Sequence, residues 1–132
     1  MGIGNNLKVG ITIGDINGIG PEIILKSLND RRILTTITPV IYGSDSALSH
    51  YKTKMGMTEL DISTVKEAGK ARKNKINVIN ISSDDIKIEE GKESVSSGKI
   101  AVLALEKAAQ DISTGAIDVI VTEPISKSVC QK

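Results

Sequence analysis

Phenylalanine and tryptophan are absent from the 132 residues, and tyrosine occurs only twice. A core built from this chain is therefore aliphatic, and the aromatic platforms on which single-stranded bases stack are missing. Cysteine occurs once, at Cys130, and histidine once, at His50. A lone cysteine excludes a disulfide framework and a cysteine-held metal cluster, and it fits a reducing, cytoplasmic setting. A lone histidine excludes every multi-histidine metal motif within these residues and argues against a Ser-His-Asp triad. No sign of charge dominates either. The 17 basic and 16 acidic residues leave a net charge of +1, too little to draw the chain to nucleic acid or to an anionic membrane. No apolar run approaches the roughly 18 residues of a membrane span. The opening MGIGNNLK lacks the charged and apolar regions of a secretory signal, and Asn6 stands where myristoylation needs Ser or Thr.

What is present is a chain 39% apolar, with 21 isoleucines. Its length suits one domain, in which folding buries roughly two thirds of the unfolded surface. Leu7, Val9, Ile11 and Ile13 alternate with Lys8, Gly10 and Thr12, the period of a strand. A glycine-rich turn follows over 14–20. Pro21 then suits the first position of a helix, Glu22 favours its positive end, and Ile23, Ile24, Leu25 and Leu28 supply the apolar stripe. Pro39, Val40, Ile41 and Tyr42 predict a second strand ended by Gly43, with Ser44 and Asp45 capping a short helix to Met55. A third strand is expected over 60–65, a solvated basic loop or short exposed helix over 66–75, and a fourth strand at Ile76, Val78, Ile79 and Ile81. An acidic run over 84–93 reads as another solvated edge.

The clearest helix spans 97–113. Ala101, Ala104, Leu105, Ala108 and Ile112 share one face, while Lys99, Glu106, Lys107, Gln110 and Asp111 take the other. Gly115 ends it. The nearly continuous apolar run from Ile117 to Val121 has the pattern of a strand covered on both faces, stopped by Pro124. Strands alternating with helices predict an α/β unit with a mainly parallel sheet flanked by helices. Residues 1–132 read as a single such unit. The chain stops at Gln131-Lys132, where an α/β protein would start its next helix, so it reads as the N-terminal piece of a longer polypeptide.

Two stretches have the makings of chemistry. In Gly14-Asp15-Ile16-Asn17-Gly18-Ile19-Gly20-Pro21-Glu22, a strand passes into a helix at the edge where open α/β sheets place ligands. Glycines there permit positive φ and close backbone approach, and the N–H groups opening the helix attract phosphate or carboxylate. The spacing matches neither G-x-G-x-x-G nor a Walker A loop. A turn that simply needs glycines, with Asp15 and Asn17 bonding to nearby backbone, accounts for the pattern equally well. Thr122-Glu123-Pro124-Ile125-Ser126-Lys127 likewise follows a strand, offering a hydroxyl at Thr122 and a point charge suited to phosphate at Lys127. A helix start with a surface lysine is the plainer account of that segment. If the two strands are parallel, both stretches leave the sheet on the same edge. His50, Cys130 and the formal glycosylation triplet Asn80-Ile81-Ser82 read as ordinary surface or structural features.

Together these segments resemble the N-terminal part of the 4-hydroxythreonine-4-phosphate dehydrogenases. The resemblance runs from about Lys8 to Lys127. It rests on the segment from Ile11 to Glu22, on GKESVSSGKIA at 91–101, and on Val121-Thr122-Glu123-Pro124-Ile125-Ser126-Lys127. It implies an isocitrate/isopropylmalate-dehydrogenase-like fold in a homodimeric, two-domain enzyme. Such an enzyme uses NAD to oxidise a phosphorylated hydroxy acid, which then loses carbon dioxide, with a divalent metal held by three histidines as Lewis acid. Those histidines and the family's His-Thr pair come later than Lys127, so these residues are expected to contain no catalytic group or metal ligand and to bind neither cofactor alone. The resemblance places Gly14, Asp15, Asn17, Gly18 and Gly20 near the cofactor, and Thr122 and Lys127 on the substrate side. Three alternatives stay open: a related dehydrogenase of threonate or erythronate phosphate, the isocitrate/isopropylmalate branch, and a small non-catalytic anion-binding module.

Overall fold

A computed structural model describes residues 6–14, 16–81 and 95–122, with the side chains of 95 and 96 left aside. The elements run β1 (Leu7–Thr12), α1 (Gly20–Ser27), α2 (Arg31–Thr36), β2 (Ile37–Gly43), α3 (Asp45–Lys54), β3 (Ile62–Thr64), a short 3-10 turn (Ala68–Lys70), β4 (Ile76–Asn80), α4 (Val95–Ser113) and β5 (Val119–Thr122). The five strands form one sheet in the order β3-β4-β2-β1-β5, and every neighbouring pair is parallel. The expected α/β unit with helices flanking a parallel sheet is what forms.

Alternation along the strands divides the core into two layers. Ile11, Ile41, Ile76 and Val78 pack with Ile24 and Leu25 of α1 and Ala47, Leu48 and Tyr51 of α3. Val40, Tyr42 and Ile79 face the other way, onto Ala104 and Ala108 of α4 and onto Ile117. Close approach has sequence causes. A Cβ on Gly43 would lie 2.8 Å from Ile13 Cβ, so a side chain there would push β1 and β2 apart. Pro39 sits where β2 has paired with β1 but not yet with β4, so its missing N–H interrupts no bond to β4. Buried Asn77 donates to the carbonyls of Pro39 and Arg72, both at 3.0 Å, and accepts from the Arg72 N–H at 2.8 Å. That anchor, with Ala68 buried, ties the basic loop over 66–75 to the sheet.

Four expectations are corrected. The pattern gave no sign of α2, a six-residue helix capped by the Asp30 carboxylate, which accepts from the Arg32 N–H. Ile23 is 40% exposed and lies outside the buried stripe of α1, where Ile24, Leu25 and Leu28 are covered. The buried face of α4 is rotated from the expected one: Ser97, Ile100, Ala101, Ala104, Ala108 and Asp111 are inside, and Ile112 is 39% exposed. Its phase is set by Asp111, which accepts a hydrogen bond from the buried Tyr42 hydroxyl at 2.6 Å. Finally, β5 is an edge strand. Val119 and Val121, which share a sheet face with Ile11, are 40% and 43% exposed, so the strand is not covered on both faces.

Candidate functional site

The carboxyl ends of β1 and β5 make the rim of interest. Strand order reverses there: β1 passes the chain to β2 on one side, and α4 later carries it back to β5 on the other. Crevices at such reversals are where open α/β sheets hold ligands. Beyond Thr12 the Ile13 N–H still donates to the Tyr42 carbonyl at 3.1 Å. Gly14 then turns the chain with φ of 70°, a left-handed conformation that disfavours side chains. Ile16 plunges into the core at 1% exposure, and its carbonyl accepts from the Tyr51 hydroxyl of α3 at 2.6 Å. The turn is therefore held from both ends. Ile19 contributes no side-chain cap to α1, and Pro21 occupies its first turn. The salt bridge from Lys54 to Glu22, 3.1 Å, joins α1 to α3 on the surface.

Of the residues singled out in the turn, Gly14 uses positive φ whereas Gly18 and Gly20 do not. Asn17 is buried, and Asp15 lies outside the described residues. Thr122 stands directly beside Thr12 in the parallel register of β1 and β5, so the two stretches do leave the sheet on one edge. Thr122 is exposed. Lys127, like the acidic run over 84–93 and Cys130, falls outside the described residues. His50 lies exposed on α3, edge-on to the Tyr51 ring at 4.9 Å between centroids, and takes no part in the rim.

The neighbouring ends of β2, β3 and β4 are closed by the protein's own hydrogen bonds. The Asp45 N–H donates to Asn80 Oδ1 at 2.8 Å, the Thr64 hydroxyl donates to Asp45 Oδ2 at 3.2 Å, and the Ile81 N–H donates to the Gly43 carbonyl at 2.9 Å. The sequence marks Ser44 and Asp45 only as caps and Asn80 only as part of a formal glycosylation triplet, so this closure carries no local signal. By contrast, Thr12 is wholly buried and its hydroxyl has no hydrogen-bond partner. A groove of about 460 Å³ lies at the opposite end of the sheet, between Leu28, Leu34, Leu60 and Ile76. Among the described residues no three His, Cys, Asp or Glu side chains gather as a metal would require, so none of them is assigned to one.

Residues 35–132 match the family model described as pyridoxal phosphate biosynthetic protein PdxA. A 4-hydroxythreonine-4-phosphate dehydrogenase from Bacteroides thetaiotaomicron is 40% identical over 127 residues, covering 96% of this chain and 35% of that protein. A Clostridium botulinum protein provisionally named D-threonate 4-phosphate dehydrogenase is 35% identical over 132 residues, covering 95% of this chain and 38% of its own length. The crystal structure of a 4-hydroxythreonine-4-phosphate dehydrogenase from Burkholderia phymatum superposes with a TM-score of 0.87 at 26% identity, covering 96% of this chain and 38% of that one. The chain thus spans little more than a third of the relatives it matches. With its five-stranded parallel sheet shared with those dehydrogenases and three quarters of its length within the family model, the chain belongs to the PdxA family.

Proposed function

We propose that these residues are the N-terminal part of an NAD-dependent dehydrogenase that oxidises 4-hydroxythreonine 4-phosphate, a step followed by loss of carbon dioxide. In this reading the whole enzyme is a cytoplasmic homodimer acting on a small phosphorylated hydroxy acid. One observation supports it above the others: the Gly14 turn and Thr122 end adjacent parallel strands at the reversal in strand order. NAD, when bound, supplies the hydride acceptor. The turn fits such a group, because its left-handed Gly14 leads into a helix whose first N–H groups have no side-chain cap, and such groups favour phosphate. Gly14, Asp15, Asn17, Gly18 and Gly20 would border the cofactor. Thr122 would offer a hydroxyl to the substrate, and Lys127 a positive charge. The described residues do not fit the divalent metal that the resemblance implies, since they gather no ligand set.

D-threonate 4-phosphate is the second substrate to weigh, favoured by the 35% identity to the Clostridium relative. Reduction of NAD by the intact protein, measured with each substrate in turn, separates the two. Turnover of 4-hydroxythreonine 4-phosphate at the higher kcat/KM is the expected result, and no turnover of either would overturn the reading.

A further inference from the structure

We propose that Thr12 is a ligand-binding residue of this rim, its hydroxyl meeting a phosphate oxygen in the loaded cleft. The inference rests on the dehydrogenase reading above and adds a residue that neither motif singled out. Thr12 is 0% exposed, and its Oγ1 is the one buried side-chain nitrogen or oxygen among the described residues with no hydrogen-bond partner. Such a group loses its hydration on folding and, among the described residues, gains nothing in exchange, which leaves its hydroxyl open to a ligand.

Its neighbours do not meet that need. Register partners on parallel strands project to the same face of the sheet, which places Thr12 with Tyr42 on one side and Thr122 on the other. Tyr42 gives its hydroxyl to Asp111. Thr122 is turned to solvent at the end of the edge strand. Thr12 is the last residue of β1, two positions before the left-handed Gly14. A buried hydroxyl and an exposed one thus stand side by side at the point where ligands of such sheets bind. Both the dinucleotide and the proposed substrate carry phosphate, a strong acceptor for a hydroxyl proton.

The test compares the intact protein with its Thr12→Val and Thr12→Ser variants. Binding of inorganic phosphate and of NAD is measured by calorimetry, and melting temperature is measured without ligand. Valine keeps the shape and removes the hydroxyl. Thr12→Val should melt no lower than the parent while binding at least one probe about tenfold more weakly, the loss of a hydrogen bond to a charged group. Thr12→Ser should restore binding. Phosphate that NAD displaces marks the oxygen as the dinucleotide's, whereas phosphate that binds alongside NAD marks it as the substrate's. Unchanged binding in Thr12→Val overturns the proposal, as does a parent that binds neither probe. So does a Thr12→Val variant that melts lower, which would give the hydroxyl a structural role. Substrate turnover is not read in this experiment, so the dehydrogenase reading stands or falls separately.

Discussion

The Tyr42 hydroxyl and the Asp111 carboxylate meet in the layer between α4 and the sheet. Lys107, one turn earlier on α4, completes the group at 3.3 Å from Asp111. Burial raises the Tyr42 pKa above that of an ordinary tyrosine, and the hydrogen bond and charge of Asp111 raise it further. Tyr42→Phe leaves the carboxylate short of a donor and should cost about 1–3 kcal/mol, read as a lower urea midpoint with an unchanged slope. The pH dependence has a definite sign. An unfolded tyrosine loses its proton near pH 10, roughly, while folded Tyr42 keeps it. The folded state then holds more protons, and stability falls as pH rises past that point. Tyr42→Phe removes this share of the alkaline slope, so a mutant with the parent's full slope would contradict the assignment. Hydropathy placed Asp111 on the outer face of α4, because a carboxylate counts as polar wherever it points. Only the tyrosine across the layer makes it an inside residue. Thr12 was hidden for a related reason: whether a hydroxyl is matched depends on neighbours far away in sequence.

At the scale of the element, α3 shows a local signal at full strength. Ser44 accepts from the Ala47 N–H at 3.2 Å with extended backbone, as an N-cap should. Ser44→Ala should lower stability by about 1 kcal/mol, seen in chemical denaturation, and Ser44→Asp should restore most of it. That helix, β1, β4 and α4 were all legible because caps or a sustained period announced them. Helix α2 was not, since six residues with Ile33 and Leu34 only partly buried give a period too little length to repeat. For β5 the run of apolar residues was real, but an apolar run does not tell which faces a layer will cover, and Val119 and Val121 stand exposed on theirs. The turn after β1 could be placed at the sheet's carboxyl edge from order alone. That Thr122 is its immediate neighbour required the strand order, which no local pattern carries.

At the scale of the molecule, the chain covers 35% of its Bacteroides relative, and the described residues gather no metal ligand set. The 132 residues by themselves should therefore yield no reduced nicotinamide when given NAD, a divalent cation and either phosphorylated substrate. Absorbance of the reduced cofactor reads this directly, and a signal above the protein-free control would show that the catalytic groups are already here. One feature of the sheet also bears on how the protein is made. Strand β1 lies between β2 and β5, and the Lys8 N–H donates at 2.9 Å to the carboxylate of Asp118, 110 positions later. A ribosome adding roughly 5–20 residues per second delivers that second flank about 5–20 s after the first strand emerges. Until then that side of β1 lacks its neighbour and leaves a row of backbone donors and acceptors unpaired, a window for mispairing during translation.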